Sequence, residues 1–231
     1  MLNRRILRIK AFKTLYGSVL SDNMSLDQAE TQLEISCEAT RDLFVYMLGI
    51  VSPLTQIARE RMEAAMTKFN PTEEEKNPNT KFVDNALAKL LDEDVDFKKL
   101  FAKKKFGWQQ YDLFLKKVLA SVMSKEYFAD YMASDERSLE QDCNLFTKIF
   151  EEEFVDSMEL ESILEEKSIH WYEDLPYALS WCCRSFKSFA KGEGFSMPPL
   201  YQSDMMTGAD VESDKYFVRK LLQASFAGYE R

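Results

Sequence analysis

Few residues in this chain can break a helix. Its seven glycines and six prolines are scattered over 231 residues, whereas an all-β protein needs turn formers at short intervals. Ala, Leu, Lys and Glu recur at helical spacing, so the chain reads as all-α. Hydrophobic residues at 45% are ample for a core, and the length allows one large domain or two small ones.

Charge is distributed unevenly. The chain carries a formal charge of -9, yet Asn3 to Leu20 (NRRILRIKAFKTLYGSVL) holds Arg4, Arg5, Arg8, Lys10 and Lys13 and no acid. As a helix, this stretch places Ala11, Leu15 and Val19 on one apolar stripe, with Phe12 and Tyr16 beside it. That stripe is expected to face a core. Continued toward the N-terminus it meets Arg4 and Arg8, with Arg5 on its flank. A guanidinium is not buried unpaired, so the first turns are expected to reach past the bundle as a candidate phosphate site.

The order Arg-Arg-x-x-Arg, small residue, Leu-Tyr (Arg4, Arg5, Arg8, Ala11, Leu15, Tyr16) resembles the start of the NusB family of bacterial transcription antitermination factors. Ile6 and Ile9 stand where members often carry Arg and Glu. The resemblance implies a NusB-like helical bundle. It also implies binding of boxA-like single-stranded RNA, together with a NusE-type ribosomal protein, within an RNA polymerase antitermination complex. On this reading the RNA-binding residues are Arg4, Arg5, Arg8, Lys10 and Tyr16.

The resemblance also orders the chain. It is direct over roughly 1–69 and 214–231, and weaker between. Residues 1–69 would form an N-terminal three-helix bundle, 70–80 a linker, 81–191 an inserted helical segment and 192–213 a loop. Residues 214–231 would begin a C-terminal half-bundle. Family members continue with a Trp-containing helix and two more, so the helix from Lys215 to Phe226 is expected either to expose an apolar patch or to dock on the N-terminal bundle.

Local signals refine this picture. Ser25 and Gln28 make a capping box, and Leu26, Ala29, Leu33 and Cys37 give the helix that follows its inner face. Pro53 kinks or restarts the apolar stretch from Leu43 to Met66. Asn70 to Thr80 (NPTEEEKNPNT) has the composition of a solvated connection, and Lys81 to Leu91 that of a short helix. In Phe97 to Trp108, lysines interleave with Phe97, Phe101, Phe106 and Trp108; the spacing points to packed rings and solvent-facing Lys103, Lys104 and Lys105. Phe114–Leu119, Leu145–Phe150 and Phe217–Leu222 share one apolar–polar pattern, a candidate helical repeat. A long helix from Tyr172 to Lys191 carries Trp181, Phe186 and Phe189 toward a core.

Catalytic patterns are missing from the sequence. His170 is the single histidine, no Gly-rich phosphate loop occurs, and no metalloprotease, EF-hand or nucleophile-elbow motif is present. The chain is therefore read as a binding protein, not an enzyme, and without a cofactor. Cys37, Cys143, Cys182 and Cys183 form no Cys-x-x-Cys and read as reduced structural thiols of a cytoplasmic protein. No run approaches the length of a membrane span, and the arginines interrupting Leu2–Leu7 do not fit the apolar region of a signal peptide. Two alternatives share the helical fold: the RNA-binding N-terminal domain of a ribosomal-RNA cytosine methyltransferase, and a protein-interaction module with no RNA role.

Overall fold

The computed structural model describes residues 2–21, 24–201 and 211–229, with side chains for all of them but 211–215 and 229. Among the described residues the chain is all-α, with a single isolated bridge between Leu2 and Tyr201 in place of any sheet. It forms two compact units, one from residues 1–42 and 197–231, the other from 43–196. These boundaries differ from the expected ones. The division falls inside a helix at Asp42 and Leu43, and residues 43–69 belong with the segment read as an insertion.

The first unit contains α1 (Arg4–Leu20), most of α2 (Leu26–Leu48) and α12 (Val211–Tyr229). The Ser25 capping box forms as expected: Ser25 N–H donates to Gln28 Oε1 at 2.9 Å, and Gln28 N–H to Ser25 Oγ at 3.3 Å. Ala29, Leu33 and Cys37 face inward along α2. Asp22 and Asn23 lie outside the described residues, as do 202–210 of the expected 192–213 loop; α12 already begins at Val211. α12 docks on the other two helices. Val218 and Leu222 are buried, while Phe217, Leu221 and Phe226 are half-buried. Arg219 pairs with Glu34 and lies 3.9 Å from Glu30, and Gln223 donates to Glu30 at 2.8 Å.

In the second unit, α2 ends in a fully buried run, Leu43 to Leu48, and turns through Gly49 and Ile50 into α3 (Val51–Met66), with Pro53 in its first turn. A side chain at Gly49 would overlap the Phe101 ring, so only glycine allows this approach. The stretch 70–80 is more ordered than a linker. Thr72 and Glu75 form a capping box around α4 (Glu73–Lys76), Lys68 pairs with Glu75, and Asn79 donates to the Met132 carbonyl at 2.9 Å. Lys81, Phe82 and Val83 are buried before α5 (Ala86–Glu93), because Asn85 caps that helix and starts it later than composition suggests. Then follow α6 (Val95–Lys103), α7 (Asp112–Met123), α8 (Glu126–Ala133), α9 (Leu139–Glu153), α10 (Met158–Lys167) and α11 (Leu175–Phe189).

α9 and α11 pack through Phe146, Phe150 and Phe186. A second nucleus surrounds Tyr46, which stacks on Trp108 at 4.3 Å and lies 5.0 Å from Trp171, while the Trp108 indole donates to the Tyr46 carbonyl. Phe186 and Phe189 are buried as expected; Trp181 is only half-buried, with the Arg184 guanidinium 4.9 Å above its ring. The candidate repeat keeps its inward phase. Phe114, Leu115, Val118 and Leu119 are buried on α7, and Leu145, Phe146, Ile149 and Phe150 on α9.

One buried network is polar. Tyr131 donates to Asp142 Oδ1 and the Ala86 N–H to Oδ2, both at 2.6 Å. The Lys81 ammonium lies 4.3 Å from the Tyr131 ring and donates to the Tyr131 and Ser134 carbonyls at the end of α8. Burial raises the Asp142 carboxyl above its ordinary value, against the pull of these donors.

α6 ends in a Schellman motif. Phe106 N–H bonds to the Phe101 carbonyl and Lys105 N–H to that of Ala102. The two rings meet edge to face at 5.7 Å. Lys105 sits at φ 54°, the left-handed conformation usually given to glycine. The rings therefore pack and Lys103, Lys104 and Lys105 face solvent, as the spacing indicates.

Candidate nucleic-acid interface

α1 begins where Asn3 Oδ1 accepts the Ile6 N–H at 3.0 Å. Its start is tied down by Leu2, fully buried, whose N–H donates to the Leu200 carbonyl at 2.8 Å. No acid occupies the first turn. Arg4 and Arg5 therefore add their charge to the positive end of the helix dipole, and positive potential concentrates there.

The buried face of α1 is not the expected one. Ile6, Leu7, Lys10 and Ala11 are buried, and Thr14, Leu15 and Ser18 half-buried. The inward side thus carries Thr14, Gly17 and Ser18 beside Leu15 through its second half. The large side chains turn outward: Phe12 is 68% exposed, Tyr16 60% and Leu20 67%, with Ile9 and Val19 exposed beside them. Of the stripe expected in a core, only Ala11 is fully buried.

Lys10 is a correction. It is 4% exposed, and its ammonium donates to the Ser36 carbonyl at 2.8 Å and to Ser36 Oγ at 3.3 Å. It cross-links α1 to α2 and offers no charge to a ligand. A lysine one turn and a half from Arg5 looks cationic in sequence; its helical phase puts it on the Ile6 and Leu7 side instead.

Arg4, Arg5 and Arg8 are exposed. The guanidiniums of Arg4 and Arg8 each lie 5.5 Å from the centre of the Phe217 ring, a contact that orients them. Glu30 and Glu34, the acids of α2 nearest to α12, are engaged by Arg219. Among the described residues neither Arg5 nor Arg8 meets a carboxylate. One solvent face of α1 therefore runs from Arg5 and Arg8 through Ile9, Phe12 and Lys13 to Tyr16, Val19 and Leu20. Phe12 and Val19 belong to this surface, where the sequence pattern points them toward a core; only the helix phase set by Leu2, Ile6 and Leu7 reveals them.

The second unit offers less to a ligand. A cleft of about 520 Å³ between α3, α5 and α7 has walls of mixed charge in which Arg59 bonds to the Val83 carbonyl and Ser52 to Asp92. Among the described residues, no three His, Cys, Asp or Glu side chains come together as metal ligands, and no helix is long and apolar enough to cross a membrane. No family model, curated protein or solved structure matches the chain.

Proposed function

We propose that the protein binds single-stranded RNA through α1 and acts as an adaptor, not an enzyme. One observation carries the reading: cations and exposed rings share a single solvent face of one helix, Arg5 and Arg8 followed by Phe12 and Tyr16. Single-stranded nucleic acid asks for that pairing, because cations meet the backbone and rings stack on bases. Tyr16 and Phe12 would supply stacking, and Arg4, Arg5 and Arg8 phosphate contacts and bonds to base edges. Lys10 has no part in it.

The order of Arg4, Arg5, Arg8, Ala11, Leu15 and Tyr16 supports a NusB-type role: holding boxA-like RNA and presenting it, with a NusE-type ribosomal protein, to an antitermination complex. Val19 and Leu20, exposed and apolar at the far end of the same face, suit the protein partner. Fluorescence anisotropy with a short boxA-like single strand tests the proposal. Arg4→Glu, Arg5→Glu and Arg8→Glu together should abolish binding and leave far-UV helicity unchanged. With about three phosphate contacts, log affinity of the parent should fall against log salt with a slope of roughly -2. Undiminished affinity in the triple variant would overturn it.

A further inference from the structure

α6 carries a second cationic surface. Lys98, Lys99, Lys103, Lys104 and Lys105 are all exposed, while Phe97 is buried and Leu100 and Phe101 half-buried on the other side of the helix. Among the described residues Lys98, Lys99, Lys103 and Lys105 meet no carboxylate. The helix dipole favours cations in the last turn, and so accounts for Lys103. It does not account for Lys98 and Lys99, which lie in the middle of the helix. Least of all does it account for Lys105, held at φ 54° in the position where a Schellman motif takes glycine. There the backbone disfavours lysine relative to glycine, and the side chain, exposed and unpaired, returns no packing. What the position gains is a charge projected from the helix end beside four others, in a chain of formal charge -9.

We infer that the lysine face of α6 is a contact surface for the sugar-phosphate backbone of single-stranded RNA. The inference rests on the RNA reading of α1 for its choice of polyanion. The chemistry is that of backbone contact without base recognition: Phe101 and Phe106 are half-buried and meet each other edge to face, so the exposed lysine face presents ammonium groups and no ring. Lysine, a compact point charge on a flexible stem, fits a phosphate whose position varies along the strand. Binding there adds affinity and salt dependence and leaves sequence preference to α1.

The test uses the full chain and a labelled oligouridylate of about 20 nucleotides, longer than a single-site footprint. Lys98→Gln, Lys99→Gln, Lys103→Gln and Lys105→Gln are combined in one variant, with the four Lys→Arg changes in a second. The expected result is at least a tenfold loss of affinity at low salt for the glutamine variant. Its log–log salt slope should be shallower by about 2 to 3, four single-strand phosphate contacts at about 0.7 each, and the arginine variant should keep parental affinity. Arg5→Gln with Arg8→Gln is measured alongside. If only the arginine changes weaken binding, the α6 surface is overturned and the α1 proposal stands. If only the lysine changes do, α6 stands and α1 contributes nothing to binding of this homopolymer. If the parent binds no oligouridylate, the α6 surface is overturned, and the α1 proposal stands or falls on the boxA-like strand. Lysine-dependent capture by phosphatidylserine vesicles, with no lysine effect on RNA, would likewise overturn the inference.

Discussion

Replacing Lys105 by glycine should make the second unit more stable. At φ 54° an L-residue bears a penalty of about 1–2 kcal/mol, which glycine escapes. Glycine in turn loosens the unfolded chain at a cost of roughly 0.5–1 kcal/mol. Lys105 is exposed, so no packing is lost, and removing a screened cation near a helix C-terminus costs a few tenths of a kcal/mol, about the low end of dipole effects. Alanine at this position keeps the strain and loses the same charge, so it isolates the backbone contribution. Lys105→Gly should exceed Lys105→Ala in stability by about 1 kcal/mol, or about 2–4 °C in Tm for a unit of this size. The assay is urea unfolding followed by tryptophan fluorescence. All three tryptophans, Trp108, Trp171 and Trp181, lie in the second unit and report on it alone. Equal stability of the two variants, or a glycine variant weaker than alanine, would refute the left-handed assignment and the argument built on it.

Three further outcomes follow from buried positions. Lys10→Ala should lower the unfolding free energy by about 2 kcal/mol, through lost bonds to Ser36 and lost packing, yet leave the RNA affinity of the folded protein within about twofold, since the side chain offers no charge to a phosphate; an RNA defect as large as that of Arg5→Gln would return Lys10 to the interface. Gly49→Ala should destabilise by about 1–3 kcal/mol, because the added methyl overlaps Phe101, and a neutral result in urea unfolding would contradict that close approach. Asp142→Asn should cost about 1–3 kcal/mol at neutral pH, since an amide cannot accept from both Tyr131 and Ala86. Burial raises the folded Asp142 value, so the folded state holds this proton where the unfolded chain has released it. The contribution is then greatest near the ordinary carboxylate value of about 4 and declines as pH rises through the folded one. The gap between parent and Asp142→Asn should widen as pH falls from 7 to about 4, and a pH-independent gap would contradict the assignment.

Helices were legible in this sequence because local chemistry and periodicity agree: Ser25 with Gln28, the turn before Pro53, and the paired apolar positions of α7 and α9 all appear where the spacing puts them. The stretch 70–80 is solvated, as its prolines and acids indicate, and only the Thr72–Glu75 capping box within it escapes a reading by composition. The boundary between the compact units at Asp42 and Leu43 lies within an unbroken helix and leaves no compositional mark. At the candidate site the cations Arg4, Arg5 and Arg8 were legible and the rest was not. α1 has two possible apolar faces, and the choice between them depends on where Leu2 is anchored and on small residues at Ala11, Thr14 and Ser18, which pattern ranks below Phe12 and Tyr16. The same phase decides that Lys10 is interior and Phe12 is not.

The most direct test of the account separates charge from stacking on α1. Binding of a boxA-like single strand is measured across a salt series for the parent, for Arg5→Gln with Arg8→Gln, and for Phe12→Ala with Tyr16→Ala. The arginine pair should make the log–log salt slope shallower by about 1.4, two single-strand phosphates at about 0.7 each. The aromatic pair should weaken binding by about 1–3 kcal/mol per stacked base and leave the slope unchanged. A parent that binds no single-stranded RNA, or two variants that bind as it does with the same slope, would contradict the claim that this face of α1 is an RNA-binding surface.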